Sequence, residues 1–228
     1  MKYCDICHLS IQAINSKPQL FTSVWCSTCI LSWMRSTRCQ RCGVKLPSFH
    51  PQNNCGQCML EQYAWDHLYC VGNYSYPLDR YVHQFKYRKY YQLCYPLAEQ
   101  LAVHIQQPAP LLIPVPLHWR RFIKRGFNQS VYLAYGLQKA FAKMYQIEVT
   151  VGRAYRKLAT VPQKGLPKKD RYRNVRQAFM IQSLNIAVSH IAIVDDVVTT
   201  GSTVNELCNL YRKSGIEQID IYCICRAS

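Results

Sequence analysis

Apolar positions recur in two rhythms along the 228-residue chain, and the rhythm changes near Tyr63. Before that point, four Cys-x-x-Cys steps interrupt a stretch with few large aliphatics; after it, helix-spaced and strand-like segments alternate. Residues 68–76 alternate as a strand does, and residues 78–87 and 95–105 carry helical apolar spacing. A short apolar strand over 111–115 is stopped by Pro116, and a loop follows. Asn128 is placed to cap a helix whose stripe is Ala134, Leu137, Phe141 and Met144, with strand-like residues 147–151 after it. Residues 153–177 are basic and carry Pro162, Gly165 and Pro167, which predicts a long loop. Residues 190–194 form a buried strand, Val204, Leu207, Cys208 and Tyr211 mark a helix, and residues 219–225 close with a strand. The alternation predicts an α/β fold over residues 63–228, a parallel sheet with helices on both faces, preceded by a small module over residues 1–62.

Apolar residues make up 49% of the chain, enough for a core, yet no run approaches the roughly 18 residues of a membrane span. Cys4 and Cys7 stand where a secretory leader would have its apolar run. The expectation is a soluble, cytoplasmic protein. Its charge is segregated: between Arg80 and Arg176 there are 19 Lys and Arg against Glu99, Glu148 and Asp170, and the rest of the chain is balanced. One stretch thus carries the whole +16 excess. A solvated basic face is the bland explanation; a field this localised also draws phosphates or nucleic acid.

Eight of the 13 cysteines form the pairs Cys4/Cys7, Cys26/Cys29, Cys39/Cys42 and Cys55/Cys58. Two thiolates three apart on a tight turn share one tetrahedral ion, so four turns hold two structural zinc ions. Taken in order the sites are Cys4, Cys7, Cys26, Cys29 and Cys39, Cys42, Cys55, Cys58, although spacing alone leaves a crossed pairing open. A disulfide framework is the alternative, disfavoured in a reducing compartment. A four-thiolate site leaves no open position for substrate, which makes the zinc a folding device.

The most informative segment is IAIVDDVVTTGSTV, residues 191–204. An apolar strand ends in Asp195 and Asp196, and a turn of Thr199, Thr200, Gly201, Ser202 and Thr203 opens a helix. Ligands of open α/β sheets sit beyond the carboxyl ends of strands. There the turn offers amides, hydroxyls and a helix N-terminus to a phosphate. Carboxylates so near a phosphate cradle suit the hydroxyls of an attached sugar, or a Mg²⁺.

This segment resembles the phosphoribosyl pyrophosphate (PRPP) motif of type I phosphoribosyltransferases. The resemblance implies that Asp195 and Asp196 are the catalytic acids at the ribose hydroxyls and that Thr199 to Thr203 hold the 5′-phosphate, with Mg²⁺ accompanying PRPP. Thr199 stands where purine-using members carry an Asp, which argues against purine transfer. IPVPLHWRRFIKRGFNQS, residues 113–130, together with Gln163, Leu166, Arg171, Asn174, Val175, Ala178, Phe179 and the four cysteine turns, resembles the ComF/GntX family over nearly the whole chain. That family joins a double zinc ribbon to a phosphoribosyltransferase-like domain, and its ComF members act in natural transformation, where single-stranded DNA enters the cytoplasm. The resemblance implies a pyrophosphate loop containing Pro116 and Leu117, a site lined by Arg125, and lid contacts from Gln163 and Arg171.

The remaining basic residues have two uses. Arg120 and Arg121 suit a diphosphate or DNA phosphates equally. The run YVHQFKYRKYY, residues 81–91, interleaves Lys86, Arg88 and Lys89 with rings, the composition of a single-strand binder, although helical spacing buries part of it. The expectation is a competence-type protein handling incoming single-stranded DNA, with a DNA-uptake or helicase partner and a site for PRPP or a related ribose 5-phosphate. Two rivals stand beside it: an active pentosyl transferase in nucleotide salvage, and a zinc-ribbon nucleic-acid factor regulated by PRPP.

Overall fold

The computed structural model describes residues 3–11, 24–34, 36–47, 53–88, 90–117, 119–156, 179–181 and 188–227. Helices α1 (Ser27–Met34) and α2 (Gly56–Leu60) lie among the cysteine turns, and β1 (His67–Asn73), α3 (Leu78–Tyr87), a 3-10 turn and α4 (Cys94–Ala102) follow. Next come β2 (Leu111–Pro114), α5 (Trp119–Arg125), α6 (Gln129–Tyr145), β3 (Thr150–Val151), β4 (Ala154–Arg156) and β5 (Phe179–Ile181). The chain closes with β6 (His190–Val198), α7 (Ser202–Lys213) and β7 (Gln218–Arg226).

Five strands form one sheet in the order β1-β7-β6-β2-β3, with every neighbouring pair parallel. The hydrophobic stripes explain the layers. Leu97, Leu101, Leu133, Leu137 and Phe141 of α4 and α6 bury against one face with Ala192, Val194 and Tyr222; Leu207, Cys208 and Tyr211 of α7 bury against the other with Ile191, Ile193 and Ile221. A sheet buried on both faces requires near-continuous apolar strands, and the interior of β6 and β7 has them.

Three expectations shift. Strand β6 runs past residue 194 through both acids to Val198, because β7 pairs with it beyond the apolar run, Asp195 opposite Cys223 and Val198 opposite Arg226. The strand expected over 147–151 shrinks to β3 at the sheet edge, where one neighbour remains to pair with it. Helix α5 lies where a loop was expected: Trp119, Phe122 and Ile123 have helical spacing, but the stripe is a single short turn and the helix buries none of its residues. Within the expected long loop, β4 pairs antiparallel with β5, and residues 157–177 lie outside the described residues.

The cysteine-rich segment is tied into this core. Trp25, Ile30 and Trp33 are buried in the same cluster as Val71, Leu78 and Tyr81, and the Trp25 and Tyr81 rings meet edge-on at 5.1 Å. Arg38 donates to the Asn73 side chain at the end of β1, and the Trp65 indole donates to the Arg41 carbonyl.

Candidate functional site

Adjacent strands β2 and β6 send their chains to opposite faces, β2 toward α6 and β6 directly into α7. That divergence opens a crevice at their carboxyl ends, with a helix N-terminus on each side. Asn128 caps α6 as expected, its side-chain oxygen accepting from the Ser130 amide, while its side-chain amide donates to the Val115 carbonyl and holds the loop of Pro116 and Leu117 against the helix. On the other side Gly201, at φ 76°, turns the chain into α7. Thr200 and Ser202 bond to each other there through their hydroxyls at 2.9 Å.

The acids lie between these two helix starts. Ser130 Oγ donates to Asp195 Oδ1 at 3.1 Å, and the Asp196 amide donates to the same oxygen at 2.9 Å. Asp196 is buried, and its Oδ1 receives the Lys86 ammonium at 2.9 Å. Lys86 was assigned to nucleic acid from its place in a basic run. The structure turns it inward, and the signal was present: Lys86 lies one turn beyond buried Val82, beside the inward stripe of α3. Arg125 donates to Gln129 Oε1 at 3.0 Å and to the Tyr87 hydroxyl at 3.3 Å. The contacts close a ring from Lys86 through Asp196, Asp195, Ser130, Gln129 and Arg125 to Tyr87 on the same helix.

Burial, and after it the charge of Asp196, pushes the Asp195 carboxyl up to about 7, against its ordinary 3.8. Two carboxylates face one ammonium here, and the surplus negative charge suits a sugar hydroxyl or a divalent cation. The folded chain binds more protons than the unfolded chain between about pH 4 and 7, so this group makes stability fall as pH rises through that window. Asp195→Asn keeps the oxygen that Ser130 bonds and removes the charge. It is expected to gain on the parent protein from pH 4 to 7 and to hold a constant advantage above, on the order of a few kcal/mol. Urea titrations at both ends of the range measure it.

The turn is braced from below by residues that the sequence reading missed. A Cβ added to Gly201 would lie 2.8 Å from the Trp65 ring, which is itself buried. Arg226, at the end of β7, donates to the Val198, Thr199 and Ala227 carbonyls and, through Nε, to the Cys42 carbonyl at 2.9 Å. Gly201→Ala combines a left-handed backbone with a collision against an immobile ring. A cost of about 2 kcal/mol is expected, which calorimetry would register as a melting temperature roughly 4–8 °C lower.

The eight paired cysteines assemble as two clusters in sequential order, Cys4, Cys7, Cys26, Cys29 and Cys39, Cys42, Cys55, Cys58, with the sulfurs of each within 4.8 Å of one another. Burial opposes ionisation of Cys4, but the amides of Cys7, Cys26 and Ile6 together outweigh it and bring the thiol down to about 6. Cys29 and Cys58 are pushed up, first by burial and then by neighbouring sulfurs, and burial raises Cys42 to about 11. Four converging sulfurs that repel one another's charge, in a small core of their own for the second set, are a donor set for a tetrahedral divalent ion. The sites fit zinc.

Other expected residues fall as follows. Thr199, Thr200, Ser202 and Thr203 are exposed at the crevice and Gly201 is buried beneath them; Arg120 and Arg121 are exposed on α5, and Arg88 is exposed after α3. Gln163, Arg171 and Lys89 lie outside the described residues.

A phosphoribosyl transferase domain family matches residues 132–228. The DNA utilization protein YhgH of Escherichia coli (strain K12) is 34% identical over 214 residues, 88% of this chain and 89% of its own. Competence protein F of Haemophilus influenzae is 31% identical over 212 residues, 89% of this chain and 90% of its own. The chain belongs to the ComF/GntX family. A solved hypoxanthine phosphoribosyltransferase from Staphylococcus aureus aligns over 60% of this chain and 62% of its own, at 14% identity and a TM-score of 0.34. The ComF/GntX chain thus carries a phosphoribosyltransferase-like parallel sheet, with two four-cysteine clusters packed at its start. Among the described residues, no helix is long and apolar enough to cross a membrane.

Proposed function

We propose that this ComF/GntX chain is a cytoplasmic competence-type factor that handles single-stranded DNA and binds PRPP or a related ribose 5-phosphate with Mg²⁺ in the crevice between α6 and α7. The observation that carries the reading is the placement of Asp195 and Asp196 between two helix N-termini, one acid bonded by Ser130 and the other by Lys86. Phosphate at the Thr199 to Thr203 turn puts a sugar within reach of those acids, with Arg125, Pro116 and Leu117 on the leaving-group side. The names of its relatives, one for DNA utilization and one for competence, support the DNA half. The division of labour follows a boundary near residue 62, with two structural zinc ions before it and the ligand site after it.

Calorimetric titration of PRPP with Mg²⁺ into zinc-loaded protein tests the site. Saturable binding that Asp195→Ala with Asp196→Ala abolishes supports it, and absence of heat at saturating ligand overturns it. Pyrophosphate release on offering a single nucleobase would instead make the chain a salvage transferase, and Thr199 argues only against a purine as its acceptor.

A further inference from the structure

Helix α3 has two working faces. Its inward face buries Leu78, Tyr81, Val82 and Phe85 and delivers Lys86 to Asp196. Its outward face, with the residues beside it, forms an open groove of about 410 Å³ lined by Tyr74, Asp79, Arg80, His83, Gln84 and Arg88. Neither Arg80 nor Arg88 is paired with a carboxylate among the described residues. The single acid, Asp79, accepts from the Arg80 backbone amide. Exposed rings interleave with these cations: Tyr74 stands at the groove, and the His83 and Tyr87 rings lie 4.8 Å apart. The Arg125 guanidinium sits 5.1 Å over the Tyr87 ring, which links the rings beside the groove to a residue at the start of α6.

We infer that this outward face of α3 is the landing platform for single-stranded DNA, an inference that rests on the DNA-handling reading above. Uncompensated guanidinium groups favour a polyanion, and ring faces open to solvent favour its bases. An acidic peptide would use the cations and leave the rings idle, and a duplex hides the base faces that the rings would stack on. Lys86 bonds Asp196 and does not line the groove, so the platform and the ribose-phosphate site share helix α3 without sharing a residue of it.

The test uses the zinc-loaded full chain and the fluorescence anisotropy of a labelled oligothymidylate. Arg80→Glu with Arg88→Glu is expected to weaken binding at least about tenfold and to flatten the salt dependence by about 1.4 logarithmic units per decade, two phosphates at ~0.7 each. PRPP titration should be unchanged, showing that the variant is folded. Lys213→Glu with Arg153→Glu, the same charge change on exposed positions elsewhere, is the control; an equal loss in the control overturns the platform. Tyr74→Leu is expected to erase the preference for thymidylate over an abasic strand of equal length, and survival of that preference also overturns it. If the parent protein binds no oligonucleotide, the DNA half of the proposed function falls as well. If it binds and the arginine reversals do nothing, only the platform falls.

Discussion

Chelating the metal from zinc-loaded protein is expected to lower the melting temperature and the ribose-phosphate affinity together. Structural zinc in a four-thiolate site contributes about 10–16 kcal/mol of folding free energy, as much as a whole domain's net stability. Each cluster is wired to one side of the crevice. The first is joined to Trp25, which packs on Tyr81, and the Tyr81 hydroxyl donates to Asp5 at 2.7 Å. Tyr81 lies on the helix that carries Lys86, so loss of this cluster loosens the ammonium that faces Asp196. The second cluster is joined through the Cys42 carbonyl to Arg226, which holds the Thr199 turn, and through Arg41 to Trp65, which backs Gly201. Cys7→Ser and Cys55→Ser should each reduce the zinc content to one per chain, and each should weaken PRPP binding from its own side. Metal-free protein that kept its PRPP affinity would show the ribbon to be a passenger.

Replacing Lys86 by Met should be among the most damaging single changes in the molecule. Lys86 and Asp196 side chains are 17% and 10% exposed, so removing the ammonium leaves a nearly dry carboxylate beside a second one. Breaking a buried pair in this way costs about 3–5 kcal/mol, more than the net worth of the pair. The loss should grow as pH rises through about 7, where Asp195 gives up its proton and adds a second negative charge to the site. Lys86→Met on an Asp196→Asn background should cost far less. A double-mutant cycle read by urea unfolding measures the difference, and additive losses would mean that the contact carries no coupling energy.

Much of this architecture was legible in the sequence because its signals are local. Helix α3 was expected over residues 78–87 and spans Leu78–Tyr87, since the stripe of Leu78, Tyr81, Val82 and Phe85 needs only 3.6-residue periodicity to be seen. Asn128 was readable as a cap because capping depends on the next few residues. Helix α5 was expected as a loop, because its helical triplet of Trp119, Phe122 and Ile123 is short and follows Pro116 too closely to outweigh the break there. Trp65 and Arg226 were not readable either, because each acts on a turn that is distant in sequence and near only once β6, β7 and the cysteine clusters have packed.

The sequence by itself determined the alternation of helix and strand, the eight-cysteine donor set, the twin acids at a strand end and the segregated positive charge. Each is written in the spacing of neighbouring residues. Three further things come from packing alone: that Lys86 bonds Asp196, that the clusters assemble sequentially, and that the cysteine-rich segment contacts both sides of the crevice. Burial and partner choice depend on which surfaces meet, and helix rotation, strand order and the packing of remote segments are set by the whole core at once.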